Sequence, residues 1–252
     1  PRRAGKRVRT RAAAAAALLF ALAPGAAQAG PPFRTDDPIP TDTGHWELYG
    51  PLIEGSGTRS AFEGSAGAEI NYGAAPNVQL TLGIPAAFAH DETGTTWGRG
   101  DLALSAKYRF YDDEASGVSV AVFPGLTLPT ASGDLGGPNA TVFLPVWAQK
   151  DAGPWSVFGG GGYTINPGRE NRDYWSGGIA VSREVSERLL LGAEIDRQGA
   201  DTVGGRATTE LGVAMIVQLD GPFRLLASAG PSFTEGDGSP ALHAFLALGA
   251  DF

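Results

Sequence analysis

The feature that most limits the fold of this chain is an alternation of apolar and polar residues with a period of two. Between positions 101 and 111, Leu102, Leu104 and Phe110 share one parity. All charged residues of this segment, Lys107 and Arg109 among them, have the opposite parity. Successive side chains of a β-strand point to opposite faces of the sheet. The segment therefore predicts a strand with one apolar face and one face that carries all of its charges.

The same alternation recurs to the end of the chain, and no window after residue 29 keeps a helical period for three turns. Composition agrees, because 37 Gly and 18 Pro among 252 residues are unfavourable inside helices. We therefore predict an all-β fold of about twelve strands. They are expected at residues 45–53, 65–73, 78–89, 101–111, 117–129, 140–150, 155–165, 174–184, 189–198, 207–219, 223–233 and 241–252.

The first 29 residues follow a different pattern. Residues 1–11 hold six Arg and Lys and no acid, residues 12–23 are apolar, and Ala27 and Ala29 precede Gly30. These three parts are typical of a secretory signal peptide. A membrane-anchoring helix is the alternative, but twelve residues rise only about 18 Å against a hydrocarbon core of about 30 Å. We expect cleavage near Ala29 and export to the envelope of a Gram-negative bacterium.

Charge and residue types exclude several classes of function. Without the signal peptide the chain has 13 basic and 27 acidic residues, which disfavours nucleic-acid binding. The absence of cysteine excludes disulfides, thiol catalysis and cysteine-ligated metals. His45, His90 and His243 are not spaced as ligands, so neither a metal nor a cofactor is predicted. The Gly-rich surroundings of Asp134 are more typical of a turn than of a calcium loop.

Two β architectures fit the alternation, a soluble sandwich and a closed barrel in a membrane. The predicted connections alternate between short and long, as the periplasmic turns and external loops of outer-membrane barrels do. Trp46 and Trp155 lie near the short-turn ends of their strands, and Trp175 and Phe233 near the other ends, which predicts two aromatic girdles. We therefore expect a closed antiparallel transmembrane β-barrel over residues 45–252, with its apolar face toward outer-membrane lipids.

Three residues bear on the assignment of a barrel with its apolar face toward lipid. Arg183 and Arg197 are the charges that fall on the apolar parity, but both lie near strand ends, where a lipid-facing charge costs only about 0–1 kcal/mol. Phe252 ends the last alternating segment and is similar to the C-terminal signal that the barrel assembly machinery recognises. We expect that machinery to be a partner of the unassembled chain.

Seven short strings occur along the chain in an order that resembles one family, the group named putative MetA-pathway of phenol degradation, whose members are outer-membrane transporter-like proteins. The resemblance covers about residues 33–252 and implies a barrel that passes small compounds, hydrophobic or aromatic ones among them. The chain departs from the family pattern after Thr130, where Ala131 replaces the expected Gly, which puts the conformation of that loop in doubt. The strings are Phe33-Arg34-Thr35-Asp36-Asp37-Pro38, Gly44-His45-Trp46-Glu47, Glu69-Ile70-Asn71-Tyr72-Gly73, Asn77-Val78-Gln79-Leu80, Lys107-Tyr108-Arg109-Phe110, Leu128-Pro129-Thr130 and Gly160-Gly161-Gly162-Tyr163.

Charged residues with the inward parity are the candidates for function. A channel needs polar groups in its lumen, but the same charges can equally pair with one another and fill the barrel. Twelve strands predict a pore that is narrow or partly plugged. The candidates are Glu47, Glu69, Lys107, Arg109, Glu194, Asp196, Glu210 and Arg224.

A turn at 74–77 would pair Glu69 roughly with Leu82, and the next loop would bring Lys107 beside Thr81. We therefore expect Glu69 and Lys107 at one height, with Arg109 one step nearer the short-turn end and in the same group. This positive patch would face Glu194, Asp196 and Glu210 across the lumen.

Residues 30–44 precede the first strand and show no alternation. They either hang in the periplasm or fold into the lumen as a plug, and we favour the plug. The fourteen residues at 31–44 can reach over about 40 Å when extended, more than the height of the barrel. The side chains expected to meet the inward charges are those of Arg34, Asp36 and Asp37.

Three functions remain possible at this stage. We favour a porin-like channel for passive uptake of a small-molecule solute, and the first alternative is a structural barrel with a plugged lumen. The second alternative is an outer-membrane hydrolase, but the chain has no Gly-x-Ser-x-Gly string, and the expected register puts His243 opposite Gly230 rather than Ser228. We therefore predict no enzyme activity and no catalytic residue.

Overall fold

The computed structural model describes residues 31–252, so the predicted signal peptide at 1–29 lies outside the described residues. In that range no helix is long and apolar enough to cross a bilayer. The chain forms fourteen strands within the described residues: β1 (Trp46–Gly57), β2 (Phe62–Ala75), β3 (Val78–Asp91), β4 (Gly94–Arg99), β5 (Leu102–Asp113), β6 (Val118–Val122), β7 (Gly125–Leu128), β8 (Thr141–Ala152), β9 (Trp155–Ile165), β10 (Tyr174–Ser186), β11 (Leu189–Gln198), β12 (Thr208–Gln218), β13 (Phe223–Thr234) and β14 (Ala241–Asp251).

These strands make a closed antiparallel barrel whose wall has twelve positions. β1 pairs with β14, and β3 pairs with β5, so the ring has no free edge. β6 and β7 are the two halves of one wall strand, separated at Phe123 and Pro124, and both lie between β5 and β8. β4 takes no wall position of its own, because it pairs with the outer end of β3 on the same side as β5 and continues that strand outward. The predicted fold class and its twelve strands are confirmed.

The strand connections at one end of the barrel are tight turns. Two residues join β2 to β3, β8 to β9 and β10 to β11. In the first of these turns Asn77 has a φ of 63°, a left-handed conformation that asparagine tolerates better than most residues. Because β1 begins and β14 ends beside these turns, this is called the short-turn end.

The connections at the other end differ from one another. Residues 129–140, 166–173, 199–207 and 235–240 form loops, but β1 and β2 are joined by only four residues, fewer than the alternation suggested. β1 runs past the predicted end at residue 53 because a bulge between Tyr49 and Leu52 absorbs Pro51, which cannot donate a ladder hydrogen bond. The β4 hairpin occupies a connection that the sequence predicted as an irregular loop.

Asp101 orders the loop after Thr130, where the sequence departs from the family pattern. Its Oδ1 accepts hydrogen bonds from the backbone N–H groups of Thr130 and Ala131 at 2.9 and 2.8 Å, and its Oδ2 accepts one from Gly137 at 3.0 Å. A carboxylate that satisfies several N–H groups orders a loop without an ion. Across the described residues, no three acidic or histidine side chains come together as a metal site.

The outer surface of the wall is apolar, as the alternation predicted. Leu80, Ile179 and Val213 are among the large apolar side chains that stay about half or more exposed. At the short-turn end Trp46 packs on Tyr72 with ring centroids 4.4 Å apart. At the loop end Tyr163 packs on Trp175 at 5.2 Å. Such aromatic pairs at both ends are the two girdles of a membrane barrel.

The two charges on the apolar parity both have partners near a girdle. The guanidinium carbon of Arg183 lies 5.1 Å from the ring centroid of Trp155. Arg197 donates to Thr209 Oγ1 at 2.8 Å and forms an ion pair with Glu235. Placed at the ends of their strands, these side chains keep their charge near the water at the barrel rims.

Close approach of β12 and β13 depends on Gly230. A Cβ at this position would lie 1.7 Å from the backbone oxygen of Leu211, a distance that only a backbone shift can relieve. Gly238, in the loop before β14, offers the matched control, since a Cβ there would meet no atom within 4 Å.

We expect Gly230→Ala to destabilise the folded barrel by about 1–3 kcal/mol, because the added methyl group overpacks the wall. Heat-dependent mobility on an SDS gel measures this, since folded barrels and unfolded chains migrate differently. Gly238→Ala should unfold at the temperature of the unmodified protein. Equal unfolding temperatures for the two variants would show that the close approach does not matter.

Candidate functional site

A cavity of about 1610 Å³ runs inside the barrel and has lining residues at both ends. Glu54 and Glu63 line it near the loop end, and Pro154 and Arg188 line it at two of the short turns. The interior of the barrel is therefore not filled by its own side chains along its whole length.

Residues 31–44 cross this interior as an irregular segment with several bends, here called the inner segment. Near its start, Ser228 Oγ of β13 donates to the backbone oxygen of Pro32 at 2.7 Å. Farther along, the N–H of Thr41 donates to Gln79 Oε1 of β3 at 2.8 Å. Thr35 and Asp37, between these two ties, are completely buried. The segment thus runs through the interior from β13 to β3.

The acids of β11 and β12 hold the first half of the inner segment. Glu194 accepts the backbone N–H groups of Arg34 at 3.0 Å and of Thr35 at 2.9 Å. Arg34 Nη1 lies 2.6 Å from Glu210 Oε2, and its Nε lies 4.0 Å from Asp196 Oδ1. All three predicted acids therefore contact Arg34, Glu194 through the backbone and the other two through the guanidinium.

Lys107 of β5 holds the second half of the inner segment. Its Nζ lies 3.0 Å from Asp36 Oδ1 and 3.8 Å from Asp37 Oδ1, and it donates to the backbone oxygen of Ile39 at 3.4 Å. The ring of Phe123 lies on its other side, 4.8 Å from Nζ. Lys107 is almost fully buried, so it needs these partners to remain charged.

Burial raises the pKa of Asp37 to about 8, although Lys107 acts in the opposite direction. The nearby charges of Asp36 and Glu47 add to the increase, and the N–H of Ile39 lowers it. Burial prevails because Asp37 Oδ2 has no hydrogen-bond partner among the described residues. Burial in the lumen therefore favours the protonated form of Asp37.

Arg224 lies at the seam where the first and last strands meet. It donates to Glu47 Oε1 at 2.8 Å and to Tyr49 Oη at 2.6 Å, and it forms an ion pair with Asp251. Glu47 and Tyr49 belong to β1, Asp251 belongs to β14, and Arg224 belongs to β13. One guanidinium thus ties three neighbouring strands together beside the closure.

The expected group of Glu69, Lys107 and Arg109 does not form. Glu69 is level with Gly83, whereas Lys107 is level with Gln79, two residues closer to the short turns than expected. The hairpin of β3 and β4 sets this register, which the alternation alone left free. Glu69 accepts a hydrogen bond from Asn71 Nδ2 at 2.9 Å instead.

Arg109 binds the turn between β2 and β3 and has no partner deeper in the lumen among the described residues. Its Nη2 donates to Asn77 Oδ1 at 2.8 Å and lies 3.1 Å from Asp112 Oδ2. Arg109 is one step nearer the short-turn end than Lys107, as expected, but at that depth the turn is the nearest acceptor. The predicted positive patch therefore reduces to Lys107, and the inner segment separates it from the acids of β11 and β12.

Sequence reasoning missed two kinds of interior residue. One is an amide network, in which Gln79 Nε2 donates to Asn71 Oδ1 at 2.9 Å and Thr81 Oγ1. The other is apolar, because Phe33 packs edge-on against Phe158 with centroids 5.2 Å apart. Inward parity was a usable signal for both kinds, but only the charged residues of that parity were considered. A second apolar cluster contains Tyr49, Leu226 and Ala247, with Leu52, Ile216 and Phe245 packed against it.

Comparison with protein families gives one assignment. The sequence profile described as "Putative MetA-pathway of phenol degradation" matches residues 62–246, which is more than half of the chain. The chain belongs to this family. The profile begins after the strings at 33–38 and 44–47, so the family assignment rests on the barrel wall rather than on the inner segment.

Comparison with solved structures finds outer-membrane proteins of similar fold. An outer-membrane channel from Pseudomonas putida F1 has a TM-score of 0.68 at 17% identity, and the match covers 89% of this chain and 100% of that one. The KdgM porin, in complex with disordered oligogalacturonate, has a TM-score of 0.55 at 9% identity, with 82% and 99% covered. No curated protein sequence gives a significant match. The fold is that of an outer-membrane barrel.

We expect Glu194→Ala to release the inner segment, because the N–H groups of Arg34 and Thr35 would lose their acceptor at a cost of about 1–3 kcal/mol each. The chain has no cysteine, so a nitroxide on Ile39→Cys reports the mobility of the segment alone. Its spectrum should gain a mobile component. Glu92→Ala, in an exposed connection at the loop end, should leave the spectrum unchanged.

The pKa of Asp37 also predicts a pH dependence. Its pKa is about 8 with the segment in the lumen and about 3.8 in water, so the contribution of Asp37 to docking is complete below the lower value and is lost as the pH rises through the upper one. Docking should weaken as the pH rises toward 8. The same nitroxide should become more mobile over that interval, and Asp37→Asn should remove the dependence. A mobile fraction that falls with rising pH would contradict the assignment.

Proposed function

We propose that this protein is a passive channel in the bacterial outer membrane for the uptake of small compounds, hydrophobic or aromatic ones among them. The observation that carries the proposal is the interior cavity, which has lining residues at both the loop end and the short-turn end. A barrel with a purely structural role needs no such continuous space. The solute class is suggested by the name of the family.

Apolar side chains beside the inner segment support that solute class. Phe33, Leu190 and Ile216 line the cavity, as do Leu52 and Phe245. A solute that passes the segment therefore meets apolar surface on one side and the paired charges on the other. Specific passage of small apolar molecules requires this kind of mixed lining, with few polar groups that hold the solute in place.

We propose that the inner segment is a plug that narrows the channel. The ion pairs of Arg34 and Lys107 and the hydrogen bonds of Glu194 act at separate points along it. Several separate interactions of this kind support a segment that occupies the lumen most of the time. Release of the segment would require these ion pairs and hydrogen bonds to break together, which makes an open state rare but accessible.

A structural barrel with a permanently plugged lumen is the second candidate, and the same ties favour it. A hydrolase has less support, since the register sets His243 opposite Gly230, and Ser228 donates to Pro32. For assembly, Phe252 pairs with Trp46 through two backbone hydrogen bonds of 2.9 Å. We propose that this terminal residue is the contact for the barrel assembly machinery before β1 covers it.

Deletion of residues 31–41 separates the two candidates. We expect the deleted barrel to pass small solutes faster in liposome swelling, because the segment no longer occupies the lumen, while the full chain shows a smaller flux. Unchanged flux between the two proteins would argue against the plug. Absence of flux from both, with folding verified by heat-dependent gel mobility, would support the structural barrel.

A further inference from the structure

The charges that line the interior cavity are unequal in number. Ten carboxylate residues line it, against five basic residues. The excess matters because a low-dielectric wall concentrates the field of its charges inside a narrow space. The sign of the remaining field depends on which of these charges already have a partner.

Most of the lining bases are neutralised. Arg34 pairs with Glu210, Lys107 with Asp36, and Arg224 with Glu47. At the short-turn end Arg188 lies 3.2 Å from Asp220. Arg206 is the remaining base of the lining, and no ion pair joins it to a carboxylate within residues 31–252.

Six lining carboxylates have no ion pair with a described residue. Their positions extend over the length of the cavity: three lie in its outer half, one lies at mid-height beside the amide network, and two lie at the short turns. In that order they are Glu54, Glu63, Asp201, Glu69, Glu184 and Glu187. A cation that enters at either end therefore remains near a carboxylate along its path.

The carboxylates at the mouth are well placed to act on solutes. Glu54 and Glu63 belong to neighbouring strands, where Glu54 is level with Ser65 and Glu63 with Ser56. Ser65 Oγ donates to Glu54 Oε1 at 3.2 Å, which orients this carboxylate without neutralising it. Both side chains are exposed to the solution that fills the cavity.

We propose that the channel is selective for cations and that it admits small organic ammonium ions in preference to organic anions of the same size. Rings of carboxylates select cations in other channels by the same electrostatics. The inference deepens the proposed function and rests on it, since it presumes that solutes pass through this lumen. It adds a charge requirement to the apolar lining described above.

Reversal potentials in planar bilayers test the proposal. Under a gradient of KCl, the purified protein should give a potassium permeability several-fold above that of chloride. The ratio should fall toward one as the salt is raised from about 0.1 M to about 1 M, because the screening length falls from about 10 Å to about 3 Å.

Two variants localise the effect. Combined Glu54→Gln and Glu63→Gln should lower the permeability ratio by about twofold or more, since the mouth loses two charges without a change of shape. Glu92→Gln removes a carboxylate that does not line the cavity and should leave the ratio unchanged. Equal ratios for the unmodified protein and the double variant would overturn the role of these residues.

The solute class is tested with a matched pair of ions. Benzyltrimethylammonium should enter proteoliposomes faster than benzenesulfonate, which has the same ring and the opposite charge. A channel that conducts with a potassium-to-chloride ratio at or below one overturns this inference and leaves the proposed channel intact. No conductance, either in the full chain or after deletion of residues 31–41, overturns both.

Discussion

The backbone hydrogen bonds between β1 and β14 are the interaction on which the rest of this structure depends. A strand edge inside a bilayer finds no water to satisfy its N–H and C=O groups, so an open sheet of these strands would be unstable there. Pairing of the first strand with the last removes both edges at once. Arg224 reinforces this seam from inside by binding side chains of β1 and β14. Closure also creates the enclosed lumen that all further features require.

Charge complementarity between the wall and the inner segment is the second level of organisation. Glu194 and Glu210 on one side and Lys107 on the other would lose their partners if the segment were absent. Arg34 and Asp36 lie in an order along the segment that matches these charges across the lumen. The segment thus satisfies its own polar groups and those of the wall together, which explains why residues without a strand pattern adopt a defined path.

Strand positions could be predicted well because lipid imposes a simple rule on every residue that faces it. Leu80 and Val213 had to be apolar, and the resulting parity revealed the strands and both aromatic girdles. Register could not be predicted with the same accuracy, since Lys107 satisfies the parity rule equally well two residues higher or lower. The hairpin of β3 and β4 decides between these registers, because β4 runs into β5 along the same side of β3. Interior residues such as Phe158 escaped notice because apolar side chains were expected only outside.

The sequence by itself determined the all-β class, the number of wall strands, the orientation of the apolar face and the set of inward charges. These properties are local, since each follows from the parity of a residue within its own strand. Only the tertiary structure decided which charges are partners, that Arg109 serves a turn, and which carboxylates of the lumen remain unpaired. Partners are decided by the distance across a closed barrel, and that distance depends on register, closure and the path of the inner segment rather than on any single stretch of sequence.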